Sequence, residues 1–341
     1  MKVCIVGAGS IGGYVGVKLA LAGEDVTLIA RGANLAAIRA SGMRLVMHDG
    51  TEHVAKNVRS TSSLAEAGAQ DVVILAMKAH QVEPIVGDLH HLLHESTVII
   101  PMQNGIPWWY FQRLPQALGG GVYDNRVVET VDPGGKIMRT VDPGRVIGCV
   151  VYPAAELAAP GVVRHIEGDR FPLGELDGQT TERVERAAEM FVKAGLKAPV
   201  LDNIRAEIWL KLWGNLTFNP ISALTHSTLV DICQNPHTRQ LAADMMREAE
   251  TIANKLGVTF RVTLEKRIAG AEKVGKHKTS MLQDVEAGRD PEIDALVGSV
   301  IELGKLTGTP TPHIDAVFAL VKLLGRTIRD EKVSVRAHPV T

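Results

Sequence analysis

Short, wholly apolar runs alternate with helical patterning through the first hundred residues. Residues 2–6 (KVCIV), 25–30 (DVTLIA), 71–77 (DVVILAM) and 97–102 (TVIIPM) carry almost no polar positions. Such runs suit strands of a parallel sheet that is covered on both faces. Residues 11–22, with small side chains along one side, read as the helix between the first two strands. Residues 43–47 and 53–60 read as a hairpin around Asp49-Gly50. The alternation predicts an α/β, Rossmann-type doubly wound sheet.

From Gly119 to about Leu176 the texture becomes Gly/Pro turns between short β-rich stretches, with VDPG at Val131 and again at Val141. A β meander is expected there. Helical periodicity resumes over 180–194, and a strand is expected at 198–201. Beyond it strand signals nearly vanish, and 204–224, 235–256, 264–275, 280–288, 291–307 and 313–330 all read as helices. The expected division is an α/β domain over 1–202 and an all-α domain over 203–330, with a loose tail after Glu331.

A length of 341 residues fits two domains. Lys plus Arg number 37 against 38 for Asp plus Glu, so no broad field draws the chain to nucleic acid or an anionic membrane. Cys4, Cys149 and Cys233 are isolated and lack CxxC spacing, which points to a reducing compartment, with Cys4 a small core residue. Lys2 and the apolar run after it superficially resemble a signal peptide. Repeated glycines and Lys18 break that run, so strand, turn and helix of a soluble, cytoplasmic protein are expected instead.

Gly7-Ala8-Gly9-Ser10-Ile11-Gly12 is a GxGxxG that follows a buried strand directly and opens a helix. In that context it is a dinucleotide fingerprint: a tight turn, close approach of backbone to pyrophosphate, and free helix N–H groups aimed at the phosphates. NAD-binding versions place an acid at the end of the second strand. Here that strand ends in Ala30-Arg31, and a guanidinium suits a 2′-phosphate, so NADP(H) is expected. Lys78 and Asn104 follow the third and fourth predicted parallel strands, at the edge where open α/β sheets bind ligands. Lys78 could add charge near the phosphate. Asn104 could orient cofactor or substrate, or simply serve the Asn-Gly turn.

In the helix IWLKLWGNLTFNP, apolar nearly all round, Lys211, Asn215 and Asn219 recur at i, i+4 and i+8. A buried polar line needs partners or a polar cleft, although Lys211 alone could snorkel to solvent between Trp209 and Trp213. An ammonium beside a ketone would stabilise the growing oxyanion and donate the proton as hydride arrives. Asp290-Pro291 looks like an N-cap with proline at the first helical position, which puts Glu292 in a first turn. Ser280 and Gln283 have capping-box spacing. His90 and His94 could share a helix face, but no third metal ligand stands near and no metal is expected. Gly214 reads either as a point of close approach or as a kink.

Taken in order, GAGSIG at Gly7, Arg31, MKAHQ around Lys78, QNG around Asn104, the Lys211/Asn215/Asn219 helix, SMLQD from Ser280 and PEID from Pro291 resemble the ketopantoate reductase family over nearly the whole chain. The resemblance implies a Rossmann-type N-terminal domain, a 6-phosphogluconate-dehydrogenase-like helical C-terminal domain, and an active site between them. It implies NADPH-dependent reduction of 2-dehydropantoate to (R)-pantoate, a step toward pantothenate. Lys211 would be general acid and carbonyl polariser, with Glu292 hydrogen bonding to the hydroxyl or to the lysine. Asn215, Asn219 and Ser280 would bind the carboxylate and hydroxyls, and Asn104 would position cofactor and substrate. Three departures stand out: Leu229 where the family often has a further asparagine, the bulky IPWWYF after QNG, and the long stretch through both VDPG copies. They leave open a pocket, lined by the tryptophans, for a bulkier 2-oxo acid. A non-catalytic NADPH-binding sensor is a remote alternative. The partner expected is a small-molecule 2-oxo acid, and monomer and homodimer both remain open.

Overall fold

The computed structural model describes residues 1–337. Among the described residues there are eleven strands: β1 (Lys2–Val6), β2 (Asp25–Ile29), β3 (Met43–Val46), β4 (Glu52–Ala55), β5 (Arg59–Thr61), β6 (Val72–Leu75), β7 (Val98–Pro101), β8 (Ile147–Cys149), β9 (Ala154–Ala159), β10 (Val162–Glu167) and β11 (Leu173–Glu175). The apolar runs form the parallel sheet β5-β2-β1-β6-β7. Their side chains alternate between two cores. Val3, Ile5, Ile74 and Ile100 pack under α1 (Ser10–Leu21), while Cys4, Val6, Val73, Leu75 and Ile99 face a second core that continues into the helical half. Together with α2 (Gly32–Ser41) and α3 (Leu64–Ala67), these strands make the doubly wound half.

Three of the strand expectations need correction. The hairpin ends at β4, and Arg59–Thr61 leaves it to pair with β2 in the parallel sheet. The stretch after Gly119 is no meander until β8. Its two VDPG copies start helical turns, because each aspartate caps the backbone that follows proline. Asp132 accepts from Ile137 N and Met138 N, each at 2.8 Å, at the start of α4 (Lys136–Thr140), and Asp142 accepts from Gly144 N at 2.8 Å. β10 then pairs with β9 and, in parallel, with β3, giving a second sheet of order β4-β3-β10-β9. Residues 198–201 make only a single bridge, Leu173 with Val200, since Pro199 has no N–H to extend a ladder.

After α5 (Glu182–Lys193) the chain is helical: α6 (Ile204–Thr225), α7 (Leu229–Gln234), α8 (Pro236–Lys255), α9 (Leu264–Lys273), α10 (Ser280–Glu286), α11 (Ser299–Leu306) and α12 (Pro312–Glu331). α7 was not expected from the sequence. The segment expected as one helix over 291–307 begins instead with a π-turn, Asp294–Gly298, so Glu292 precedes the helix rather than sitting in its first turn. The cap of α10 is Thr279, whose hydroxyl accepts from Leu282 N at 3.3 Å, so Ser280 is not a capping residue. The tail is tethered as far as it is described: Val335 N donates to Val285 O and Arg336 Nε to Glu286 O. Residues 338–341 of that tail lie outside the described residues. Among the described residues no helix is long and apolar enough to cross a membrane.

Candidate active site

The GxGxxG loop joins β1 to α1. Gly7 adopts φ +104°, and a Cβ on Gly12 would meet Gly7 O at 2.0 Å, so strand and helix close on each other only because residue 12 is glycine. A Cβ on Gly9 would meet nothing within 4 Å, which leaves the loop open to a ligand on that side. Gly9 caps α1 without a side-chain acceptor, so first-turn N–H groups are left for an anion. Ala8, Ser10 and Ile11 complete the loop. Arg31 stands exposed at the end of β2, as the cap of α2. The residues present therefore fit a dinucleotide.

Lys78 leaves the carboxyl end of β6 but reaches across the cleft. Its Nζ donates to Asp284 Oδ2 at 3.0 Å and to Asp290 O at 3.2 Å. Beside it, Ala79 N lies 3.4 Å from Glu292 Oε1. Burial pushes the Glu292 carboxyl above its ordinary pKa; Asp284 adds to this, while Lys78 and the Ala79 N–H oppose it. Asn104 lies in the turn after β7, where Gln103 Nε2 bonds to Leu75 O at 2.7 Å and Met77 O at 3.1 Å.

Lys211 joins the two halves. Its Nζ donates to Asn104 Oδ1 at 2.6 Å and to Val151 O, so it does not snorkel to solvent. Burial lowers its pKa from 10.5 to about 8, against the stabilising charge of nearby acidic groups, Glu292 among them. Asn104, Lys211, Asn215, Trp109, Cys149 and Val151 line one cavity. One turn further along α6, Asn219 Nδ2 lies 3.5 Å from Ser280 Oγ. The polar line thus faces the cleft, with Glu292 within electrostatic range of the ammonium. Such a constellation can polarise a carbonyl and hand it a proton.

The tryptophans divide. Trp209 Nε1 donates to Tyr110 OH and Trp213 Nε1 to Met246 O, both at 2.7 Å, and Trp213 stacks on Phe260, so this pair is core. Trp108 is buried in the same core, whereas Trp109 forms a wall of the cavity. Gly214 is a point of close approach: the guanidinium of Arg267 lies against it. His90 and His94 do not share a helix face. Glu83–Leu92 is a 3-10 segment, His90 Nδ1 meets Gly87 O, and His94 lies beyond the segment and pairs with Asp71.

Sequence reasoning missed Glu207, which extends the polar line one turn before Lys211. Its buried carboxylate accepts from Tyr152 OH at 2.8 Å and pairs with Arg170 and Arg261. This ties the Val151–Tyr152 backbone to α6 and so presents Val151 O to the lysine. An i, i+4, i+8, i+12 reading from Glu207 to Asn219 was the available signal.

Residues 3–178 match the family model "Ketopantoate reductase PanE/ApbA", and residues 203–325 match the C-terminal model of the same family. The chain belongs to the ketopantoate reductase family. A 2-dehydropantoate 2-reductase of Mesorhizobium japonicum is 55% identical over 95% of this chain and 98% of its own length. Another, of Pyrococcus horikoshii, is 31% identical over 94% of this chain and 97% of its own. The crystal structure of a candidate ketopantoate reductase from Ralstonia solanacearum MolK2 superposes with a TM-score of 0.89 at 40% identity, covering 96% of this chain and 98% of that one. The family places the chain among dinucleotide-dependent oxidoreductases of Rossmann-like fold.

Proposed function

We propose that the chain reduces 2-dehydropantoate to (R)-pantoate with NADPH, a cytoplasmic step toward pantothenate, between a domain of residues 1–202 and one of residues 203–330. The observation that carries this reading is the buried Lys211 ammonium, held by Asn104 from the Rossmann-type half. Gly7, Ala8, Gly9, Ser10, Ile11 and Gly12 would hold the pyrophosphate, and Arg31 would pair with the 2′-phosphate where an NAD enzyme carries an acid. Lys78 would stand at the same edge of the sheet, its charge shared with Asp284 across the cleft. When bound, the dihydronicotinamide supplies the hydride.

Lys211 polarises the substrate's keto oxygen and gives it a proton as charge develops. A pKa of about 8 suits that work, because the proton is present at neutral pH and readily released. Asn104 and Val151 O fix the ammonium's direction before substrate arrives. Glu292 hydrogen bonds to the new hydroxyl or to the lysine. Asn215, Asn219 and Ser280 receive the carboxylate and hydroxyl groups.

The test is product analysis. Purified protein with NADPH and 2-dehydropantoate should yield (R)-pantoate in equal amount to the NADPH consumed, as resolved by chiral chromatography. NADPH consumption without pantoate, or no consumption at all, would sink the reading.

A further inference from the structure

Glu292 stands on a stretch with little regular structure of its own. α10 ends at Glu286 and the π-turn begins at Asp294, so the carboxyl is carried by the loop between them. Its one hydrogen-bond donor among the described residues is Ala79 N, at 3.4 Å, from the Rossmann-type half. The loop is anchored around Asp284. That carboxylate accepts from Arg289 Nε on Oδ1 at 2.7 Å and from Lys78 Nζ on Oδ2 at 3.0 Å, while Asp284 O accepts from Arg289 N at 2.8 Å. Lys78 Nζ also donates to Asp290 O at 3.2 Å, two residues before Glu292. The Lys78 backbone is itself fixed, its N–H donating to Gln81 Oε1 at 3.1 Å. Side-chain exposure is 14% for Asp284 and 28% for Lys78, so solvent screens this pair less than a surface one. The tie of the same loop to α12 is weaker, because Arg329 meets Asp290 at 3.1 Å with both side chains exposed. Asp284 also lies four residues after Ser280, so one face of α10 carries the hydroxyl that meets Asn219 and the carboxylate that holds Lys78.

We propose that Asp284 is a positioning residue for the reaction: through Lys78 it clamps the Asp290–Glu292 stretch onto the Rossmann-type half and so holds the Glu292 carboxyl in its working place. This rests on the reading of Glu292 as a carboxyl that serves the keto reduction. Without Asp284, Lys78 and Arg289 both lose their carboxylate, and the loop keeps only the Asp290 carbonyl and the long Ala79 contact as links to the other half. The clamp also sets the field at Glu292. Lys78, His80 and Asp284 all act on that carboxyl, and Glu292 in turn acts on the Lys211 ammonium. With Asp284 present, its charge and that of Lys78 oppose each other at Glu292, and burial keeps the carboxyl raised. Removing Asp284 leaves Lys78 uncompensated, so Glu292 ionises at lower pH.

The experiment is a mutant cycle at saturating NADPH and 2-dehydropantoate: wild type, Asp284→Asn, Glu292→Gln and the double variant, with Asp284→Glu as the conservative control. Alone, D284N should lower kcat at least about 10-fold and leave the KM for NADPH no higher. D284E should recover part of the loss. In the E292Q background D284N should cost less than about 2-fold more, because it acts through a carboxyl already removed. Full additivity of the two losses would overturn the assignment, since a merely structural role lowers both backgrounds alike. Carbon-13 NMR titration of the Glu292 carboxyl, identified by its absence from E292Q, reads the clamp without turnover. Its midpoint should move to lower pH in D284N, and an unmoved midpoint would overturn the assignment too. Should D284N fail to fold, Lys78→Met breaks the same pair from the other half, and its kcat at saturating NADPH should fall only where Glu292 is intact. A wild type that does not reduce 2-dehydropantoate refutes the proposed function itself, while the NMR titration still decides the clamp.

Discussion

Replacing Lys211 with methionine removes the central charge while keeping most of its volume. The lysine's pKa falls from 10.5 to about 8 on burial, so holding it protonated costs the folded state about 3 kcal/mol at neutral pH. The sign follows from proton counting. Between pH 8 and 10.5 the unfolded chain keeps a proton that the folded chain has lost, so wild-type stability rises with pH through that window. From pH 7 to 9.5 the wild type should gain about 2 kcal/mol relative to K211M. The absolute difference at one pH is less informative, because methionine also leaves Asn104 Oδ1 and Val151 O without their donor. Urea unfolding followed by the fluorescence of the four buried tryptophans gives both curves. In the same series, carbonyl reduction by the wild type should decline above about pH 8, while K211M turns over at least about 1,000-fold more slowly with NADPH affinity unchanged. Parallel stability curves for the two proteins would refute the claim that burial depresses this lysine.

Arg31→Glu places a carboxylate where the 2′-phosphate is expected; kcat/KM should fall about 100-fold with NADPH and rise with NADH, and an unaltered ratio would remove Arg31 from the site. Gly12→Ala puts a methyl 2.0 Å from Gly7 O, so fluorescence titration should show NADPH binding lost and thermal scans a lower Tm; wild-type affinity would mean that strand and helix can part freely. Glu292→Gln should lower kcat/KM about 100-fold. Because burial raises the Glu292 pKa in the folded state, the folded chain holds its proton more tightly than the unfolded one, and this carboxyl costs stability as the pH rises above the ordinary glutamate range. E292Q should therefore be the more heat-stable protein at pH 7, with the gap narrowing as the pH falls through the ordinary glutamate range, and calorimetry at pH 4.5 and 7 would expose the opposite order.

The parallel sheet was legible because every strand in it except β5 is a predominantly apolar run, as strands covered on both faces usually are. β5 was hidden for the complementary reason: Arg59–Thr61 is a polar edge strand of three residues with no periodicity to show. The VDPG copies misled because proline and glycine signal turns in general, and only the aspartate's reach onward to backbone N–H groups separates a helix start from a strand turn. At the site, Lys211, Asn215 and Asn219 emerged from spacing alone, since polar groups on an apolar helix need a reason. That Lys211 meets Asn104, 107 positions earlier, was beyond local pattern. Ser280 looked like a cap until Thr279 took that role and left its hydroxyl to face Asn219.

The most direct measurement is steady-state oxidation of NADPH by the wild-type protein with 2-dehydropantoate, run beside NADH and a panel of bulkier 2-oxo acids. The account predicts the highest kcat/KM for 2-dehydropantoate and at least about a 100-fold preference for NADPH over NADH. Faster turnover of a bulkier acid, or equal use of the two cofactors, would contradict it.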